Sequence, residues 1–467
     1  MKIENITCYL PIEIKARELD SRIYLALRLL EKGFSVVIGQ KTGVNRNMFS
    51  QKKPFVYFDK GISRGDMSFY KAIKASNGLL VGIREEGIAN NLNVNIEELA
   101  YMYNSQCAKL FSLIFIWGKR AERIINTNCP NLNKSNLIVS GHPSFDLLQE
   151  DLINYYYKLR ELKYKIKPGY ILINTNFVRN NGFLSFDRFK NFNYQNKDFF
   201  TDKLKKEYEE ATTFEKKIFL EFLKMIRVLS NSFPEKNIVI RPHPIENSKA
   251  YEREFKEHGN IKVIKDGSAK EWIVGADTVI HHDCTTGIEA FFANKTVISY
   301  CPHSNENFIA KLTQDVSVKI YNLEDLISLI KSGSKNDELS KIERKNKKFL
   351  ILDDRIANIE TSATNEITKS IEKLCNDLDE PNYMQYKKTY YLAKFKLENF
   401  IERLKSKIQT KNKHSIDINI NQKSKFSHLY KEEIQERLNI WYDHFSIKKR
   451  FSINKLESNT FLLKNKS

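Results

Sequence analysis

Along the first 150 residues, short continuous apolar runs alternate with stretches whose apolar positions recur every three or four residues. Ile6 to Leu10, Ser35 to Gly39, Phe55 to Phe58, Leu79 to Ile83, Ile114 to Trp117 and Leu137 to Val139 read as strands. Leu19 to Lys32, Ser68 to Ser76 and Lys119 to Thr127 read as helices, the first ended by Gly33. Strands that are apolar throughout, separated by helices, belong to a parallel sheet covered on both faces. A second run of this kind starts after Lys167-Pro168-Gly169. Its strands are Tyr170 to Asn174, Asn237 to Arg241, Ile261 to Ile264, Thr278 to His282 and Thr296 to Tyr300, with helices near 212–231, 268–275 and 285–293. The pattern predicts an α/β protein with two doubly wound, Rossmann-like domains, residues 1–150 and 165–345, facing a cleft. Ligands of such sheets bind outside the carboxyl ends of the strands, which places the chemistry in that cleft.

After residue 380 the period becomes helical, and 346–467 reads as a helical, basic C-terminal extension. Tyr383, Tyr386, Tyr390, Ala393, Leu397, Phe400 and Leu404 form one stripe; Phe426, Leu429, Tyr430, Ile434, Leu438, Trp441 and Phe445 form another. Both are expected to be packing faces. The aromatic segment 178–203 is too long to be a plain connection and reads as an active-site loop or lid.

Composition narrows the class. With 467 residues, 41% hydrophobic and 12% aromatic, the chain has material for large cores, which excludes wholesale disorder. Its longest strongly apolar stretch, Leu110 to Trp117, is far short of a membrane span, and the start Met1-Lys2-Ile3-Glu4-Asn5 does not resemble a signal peptide. Six cysteines without a CxxC pair suggest a reduced, cytoplasmic protein. The net charge of +19 comes mostly from lysines on solvated faces, and no aromatic-interleaved RNA-binding signature accompanies it, so nucleic acid is not an expected partner. From residue 401 on, however, 15 Lys and Arg stand against 7 Asp and Glu. That excess suits peripheral contact with an anionic membrane surface at the inner face of the cell membrane, or with an acidic lipid-linked acceptor.

Three segments at strand ends could carry chemistry. Arg241-Pro242-His243-Pro244 follows a buried strand, and its prolines fix the backbone so that the imidazole is aimed into the crevice. There His243 can stabilise a departing phosphate; the plain alternative is a turn whose histidine caps backbone carbonyls. His281-His282-Asp283-Cys284-Thr285-Thr286-Gly287-Ile288-Glu289-Ala290 follows another strand. Thr285, Thr286 and Gly287 offer hydroxyls and free N–H groups to an anion at a helix start, and Glu289 could take ribose hydroxyls or simply complement the helix dipole. The His-His-Asp run is not expected to hold a metal, because neighbours on a strand point to opposite faces. Arg84-Glu85-Glu86-Gly87 puts two carboxylates at a strand end of the first domain, either of them a candidate general base if it is not merely an exposed acidic turn. Glu13, Arg17 and Asp20 follow the first strand, where substrate commonly meets a βα-loop. Asn174-Thr175-Asn176 could reach phosphate or sugar. Ser140-Gly141-His142-Pro143 reads as a hinge turn closing the first domain. Neither GxGxxG nor a P-loop is present.

In this order, the acidic-Gly pair, the His-Pro after a strand and the Thr-rich helix start resemble GT-B glycosyltransferases that use CMP-activated acidic sugars, such as polysialyltransferases and capsular Kdo transferases. A fuller set of motifs is similar to a family of bacterial surface carbohydrate biosynthesis proteins: Leu10-Pro11-Ile12-Glu13…Arg17-Glu18-Leu19-Asp20, Glu85-Glu86-Gly87, Trp117-Gly118, Gly141-His142-Pro143…Phe145-Asp146, Asn174-Thr175-Asn176-Phe177, Arg241 to Pro244 and Cys284 to Ala290. Lys425-Phe426 and Glu432-Glu433-Ile434 extend the likeness to about residue 440. The chain departs from the transferases at Asn294-Lys295-Thr296, where a Gly and a Pro are usual, and at Ser144, where a basic residue is.

The resemblance implies a GT-B fold and transfer of a sugar from a nucleotide donor to the hydroxyl of a glycan or lipid-linked acceptor. Glu85 or Glu86 would be the base, and His243 the phosphate and leaving-group partner. Arg241, Pro244, Thr285, Thr286, Gly287, Glu289, Asn174 and Asn176 would line the nucleotide site, and Glu13 and Arg17 the acceptor side. No cofactor is expected and the reaction would be metal-independent. Rival readings are a polyol-phosphate transferase using a CDP-alcohol, a sugar-nucleotide epimerase on the same architecture, and a non-catalytic, membrane-docked binding protein.

Overall fold

The computed structural model describes residues 2–50, 53–63, 66–85, 99–182, 202–303, 305, 308–333, 354–377, 389–398, 400–401, 425–448 and 450–465. Two sheets organise them. The first contains β1 (Thr7–Ile12), β2 (Ser35–Gln40), β3 (Phe55–Asp59), β4 (Gly78–Ile83), β5 (Phe111–Ile116) and β6 (Leu137–Val139). These run parallel in the order β2-β1-β3-β4-β5-β6. The second contains β7 (Tyr170–Asn174), β8 (Ile238–Arg241), β9 (Ile261–Val263), β10 (Ala276–His281), β11 (Thr296–Tyr300) and β12 (Val318–Ile320), all parallel in the order β12-β11-β10-β7-β8-β9. The chain winds outward in both directions from β7 and β10, so the crevice at their carboxyl ends is the point where strand order reverses. The alternating elements are those expected from the apolar pattern: β3, β4, β7 and β8 are buried along their whole length.

The C-terminal segment departs from expectation. It is helical at Ala363–Asn376 and Lys431–His444, but it ends in a hairpin, β13 (Phe451–Glu457) and β14 (Thr460–Asn465). β14 pairs antiparallel with β2 and extends the first sheet by two strands. Gly39 of β2 allows this approach, because a Cβ there would lie 2.0 Å from the Asn459 carbonyl oxygen. The segment is therefore no separate extension. Ile367, Ile371, Leu438, Trp441 and Leu463 belong to the same core as Ile23, Leu27 and Val36.

That core also crosses between the two sheets. Tyr155 and Tyr156, on the helix Asn154–Lys163, connect it to Trp272, Ile288 and Phe292 of the second domain. Phe145, just past β6, packs on Phe292 with ring centroids 4.8 Å apart. Of the two expected apolar stripes, the second is a packing face, with Phe426, Leu429, Ile434, Leu438 and Trp441 buried and Tyr430 turned outward. The first is not: Tyr390, Leu397 and Phe400 are exposed, and it is Phe395 that packs, on Phe49 and Phe69. Tyr383, Tyr386 and Leu404 lie outside the described residues, as does 183–201 of the expected lid. Among the described residues no helix is long and apolar enough to cross a membrane.

Asn294 explains the missing glycine noted above. Its φ is +57°, the left-handed conformation that asparagine tolerates better than most side chains.

Candidate functional site

In the first domain the strand ends gather a buried polar cluster. Arg22, on the inner side of the helix Lys15–Glu31, donates to Glu85 Oε1 at 2.7 Å, just past β4. His142, just past β6, places Nε2 at 3.2 Å from Glu85 Oε2. The His142 Nδ1 accepts the Ser144 N–H at 3.2 Å, which leaves the ring proton on Nε2, facing the carboxylate. Trp117 packs on the His142 ring at 4.7 Å and donates its indole N–H to the Arg84 carbonyl at 2.7 Å. The turn Ser140 to Pro143 is thus part of a polar cluster rather than a simple hinge.

Burial alone would raise the Glu85 pKa, but Arg22 and then His142 outweigh it and bring the carboxyl down to about 2. A carboxylate that is buried, ionised and bonded to Arg22 is a poor general base, which argues against the expected role of Glu85 as the base. Glu86 and Gly87 lie outside the described residues. Glu18, which accepts the backbone N–H groups of Glu13 and Ile14 at 2.9 and 3.1 Å, has its pKa raised by burial and by Glu85. Glu13 pairs with Lys60 and, at 3.9 Å, with Lys425; the Arg17 guanidinium lies 3.8 Å from Glu18. Asp20 faces inward to Arg437, not toward the strand-end crevice.

The depressed Glu85 pKa gives an expected acid response. A carboxyl whose folded pKa lies below its unfolded value stabilises the fold above pH 4.5, and that stabilisation fades as pH falls toward 2. It is worth about 3 kcal/mol at neutral pH. The stability gap between wild type and Glu85→Gln, read by urea titration, should be constant above pH 5 and shrink below pH 4; a gap independent of pH down to 3 would show that Glu85 is not held ionised.

In the second domain the Arg241-Pro242-His243-Pro244 turn is anchored by a residue that the motif reading passed over. Glu246 is fully buried and takes four donors: Thr175 hydroxyl (2.6 Å), His243 N–H (2.7 Å), Phe177 N–H (3.0 Å) and Tyr251 hydroxyl (3.0 Å). Its carboxylate binds the exit of β7 to the turn after β8. The only trace in the sequence is an acid three residues after His243. The His243 ring is half-buried, and its Nδ1 accepts the Ile245 N–H at 3.4 Å, leaving the proton of the neutral ring on Nε2.

Several expected phosphate ligands have other work. Arg241 is buried and donates to the carbonyls of Asp266 and, at 2.9 Å, Gly267, so it ties β8 to a neighbouring turn. The Pro244 carbonyl accepts from Lys265 at 2.8 Å. Gly287 is needed for packing: a Cβ there would lie 2.3 Å from His281 Nε2. His281 is buried, bonded at Nε2 to Ser317 (2.9 Å), and burial lowers its pKa to about 3, so it stays neutral. Glu289 pairs with the buried Lys270 at 2.8 Å rather than standing open to ribose. Thr286 donates to Cys284 Sγ at 3.0 Å, while Thr285 is exposed. Glu85 sits with Arg22 and His142 at the strand ends of the first domain.

Asn174 and Asn176 remain at the reversal point. Asn174 is buried at the end of β7, paired in register with Arg241, and neither amide atom has a hydrogen-bond partner among the described residues. Asn176 is exposed and donates to the Asp283 carbonyl at 3.4 Å. Among the described residues no cluster of three His, Cys, Asp or Glu side chains is arranged to hold a metal ion.

No protein-family model matches the chain, and no curated protein matches it. Among solved structures it is similar to the wall teichoic acid polymerase TagF, at 10% identity over 81% of this chain and 91% of that one, with a TM-score of 0.48. It is also similar to a putative UDP-N-acetylglucosamine 2-epimerase from Listeria monocytogenes, at 14% identity over 82% and 100% of the two chains, with a TM-score of 0.47. A UDP-GlcNAc 2-epimerase from Neisseria meningitidis bound to UDP-GlcNAc matches at 14% identity over 79% and 99%, with a TM-score of 0.45. None of these scores reaches 0.5, and they say nothing about chemistry.

Proposed function

We propose that this protein is a GT-B-like glycosyltransferase of bacterial surface glycan biosynthesis, which transfers a sugar, CMP-activated and acidic, from its nucleotide to an acceptor hydroxyl. The observation that carries the reading is Asn174: a buried amide with neither atom bonded among the described residues, at the point where strand order reverses in the second sheet. An unmet buried polar group costs on the order of 1–3 kcal/mol, which a ligand offering both a donor and an acceptor would recover. The His243 turn follows the adjacent strand, fixed in place by Glu246.

The acceptor oxygen attacks the anomeric carbon as the bond from that carbon to the phosphate oxygen breaks. The departing nucleotide takes the electron pair and its negative charge, which His243 Nε2–H stabilises. The acceptor's proton passes to a base. With Glu85 locked to Arg22 and His142, that role falls to Glu86.

The test is product analysis with CMP-activated sugars and candidate acceptors in EDTA. Free CMP should appear only when an acceptor is present. Phosphorus NMR showing a phosphodiester in the product would mean that a polyol phosphate is transferred. Turnover of a sugar nucleotide without acceptor would favour an epimerase, and no turnover of any nucleotide would leave the binding-protein reading.

A further inference from the structure

Eleven large apolar side chains are exposed among the described residues, and four of them share one short helix: Tyr390, Leu397, Phe400 and Ile401, at 62, 59, 57 and 40% exposure. Residues 389–398, 400 and 401 are helical. At about 100° of turn per residue, the four fall on one side of the helix, in an arc of about 120° that also takes in Ala393 and Lys394. The other side is anchored. Phe395 packs on Phe69 and Phe49 with ring centroids 5.0 and 6.2 Å apart, and Lys71 lies over the Tyr391 ring at 5.8 Å. The helix thereby joins the layer of Tyr9, Val37 and Tyr57, on the face of the first sheet opposite to the one where Leu10, Val36 and Phe58 meet Ile23 and Trp441.

The inner side suffices to hold the helix, so the apolar outer side needs another explanation. A contiguous exposed apolar patch marks an interaction surface, and the charges around this one identify the partner. From residue 387 to 405 six Lys and Arg stand against two Glu. Lys394 and Lys396 are exposed, as is Lys71 beside the helix. Lys394 stands inside the apolar arc, one turn from both Tyr390 and Leu397. The cores of protein interfaces are depleted in lysine. At a bilayer surface, by contrast, a lysine lays its stem along hydrocarbon and carries its ammonium to the phosphates, and tyrosine is favoured at the same depth.

We propose that the outward face of helix 389–401 docks this protein on an anionic lipid bilayer. Tyr390, Leu397, Phe400 and Ile401 enter the boundary between headgroups and acyl chains, and Lys394 and Lys396 meet lipid phosphates. The helix lies in the surface and does not span it, in keeping with its length. Docking of this kind is independent of which donor the cleft takes. Each lysine near an anionic surface is worth about fivefold in partitioning, and the apolar side chains supply the part that salt does not screen.

The test is co-sedimentation of the full chain with vesicles of phosphatidylcholine, alone or mixed with phosphatidylglycerol. Partitioning should be at least about tenfold stronger on the mixed vesicles. Leu397→Glu with Phe400→Glu should weaken it by about tenfold or more, and Lys394→Gln with Lys396→Gln by about twentyfold. All four positions are exposed, so the urea midpoints should stay at the wild-type value. Leu397→Trp should add emission that moves to shorter wavelength on mixed vesicles, which contact by charge without insertion does not produce. Binding that survives the two glutamates, or a Leu397→Trp emission that does not move, would overturn the inference and leave net charge as the source of binding. Absence of binding to either vesicle overturns it as well; a dimer split by the two glutamates would then make this face an interface between copies of the chain.

Discussion

Replacing Arg437 with alanine should cost the fold about 3–5 kcal/mol, a large part of the stability of an ordinary domain. Its guanidinium is buried, donates to Asp20 Oδ1 at 2.8 Å and to the Glu433 carbonyl at 3.2 Å, and so joins the closing helix to the helix after β1. Tyr155 donates to the same Asp20 oxygen at 2.8 Å, and its ring stacks on Trp441 at 4.4 Å and 4°. Three helices thus meet at one carboxylate. Burial would raise the Asp20 pKa, yet Arg437 in particular holds it below its ordinary value. Without Arg437 the carboxylate is left buried with the Lys163 charge and the Tyr155 hydroxyl as its support, and that poorly compensated charge is the source of the cost. The double change Asp20→Asn with Arg437→Met removes both charges and should recover at least half of the loss in a urea titration. A loss under 1 kcal/mol in Arg437→Ala would mean that the C-terminal segment is not docked on the first domain as described.

That segment also marks where the sequence stopped being legible. Strands buried on both faces announce themselves, and Phe55 to Phe58 or Tyr170 to Asn174 leave little else to be. β13 carries Asn454, Lys455 and Glu457 among its apolar residues, because it is an edge strand with one face in water, and the β14 strand it pairs with joins β2 across more than 400 residues of sequence. The basic count of the tail drew the eye to charge, although its buried residues are the aromatic and aliphatic ones that complete the first domain's core.

Motifs located the strand ends correctly and assigned tasks less well, since residue type does not say which way a side chain faces. Arg241 and Gly287 look like phosphate ligands by type, but one holds a turn through carbonyls and the other makes room for His281. Glu85 and Glu86 are equivalent on paper; Arg22, 63 residues away, and His142 decide the character of Glu85. Glu246 could have been found by asking what would hold a Pro-flanked histidine still, because its backbone N–H needs an acceptor.

His243→Ala should lower the rate of transfer about 100- to 1,000-fold while leaving the fold nearly unchanged, the effect expected when one donor to a developing negative charge is removed. The separation follows from how the turn is held. Glu246 grips the His243 backbone N–H at 2.7 Å, not the ring, and Pro242 and Pro244 restrict the chain on either side, so alanine keeps the same path. The ring's own bond to the Ile245 N–H, at 3.4 Å, is long and contributes little to stability. His243→Gln, which retains an N–H donor without the charge an imidazolium can carry, should fall between wild type and alanine. Rates with saturating donor, set beside urea midpoints for all three proteins, would decide the matter. A drop in stability that matches the drop in rate would make His243 a residue of the turn alone, and the departing phosphate would need another partner.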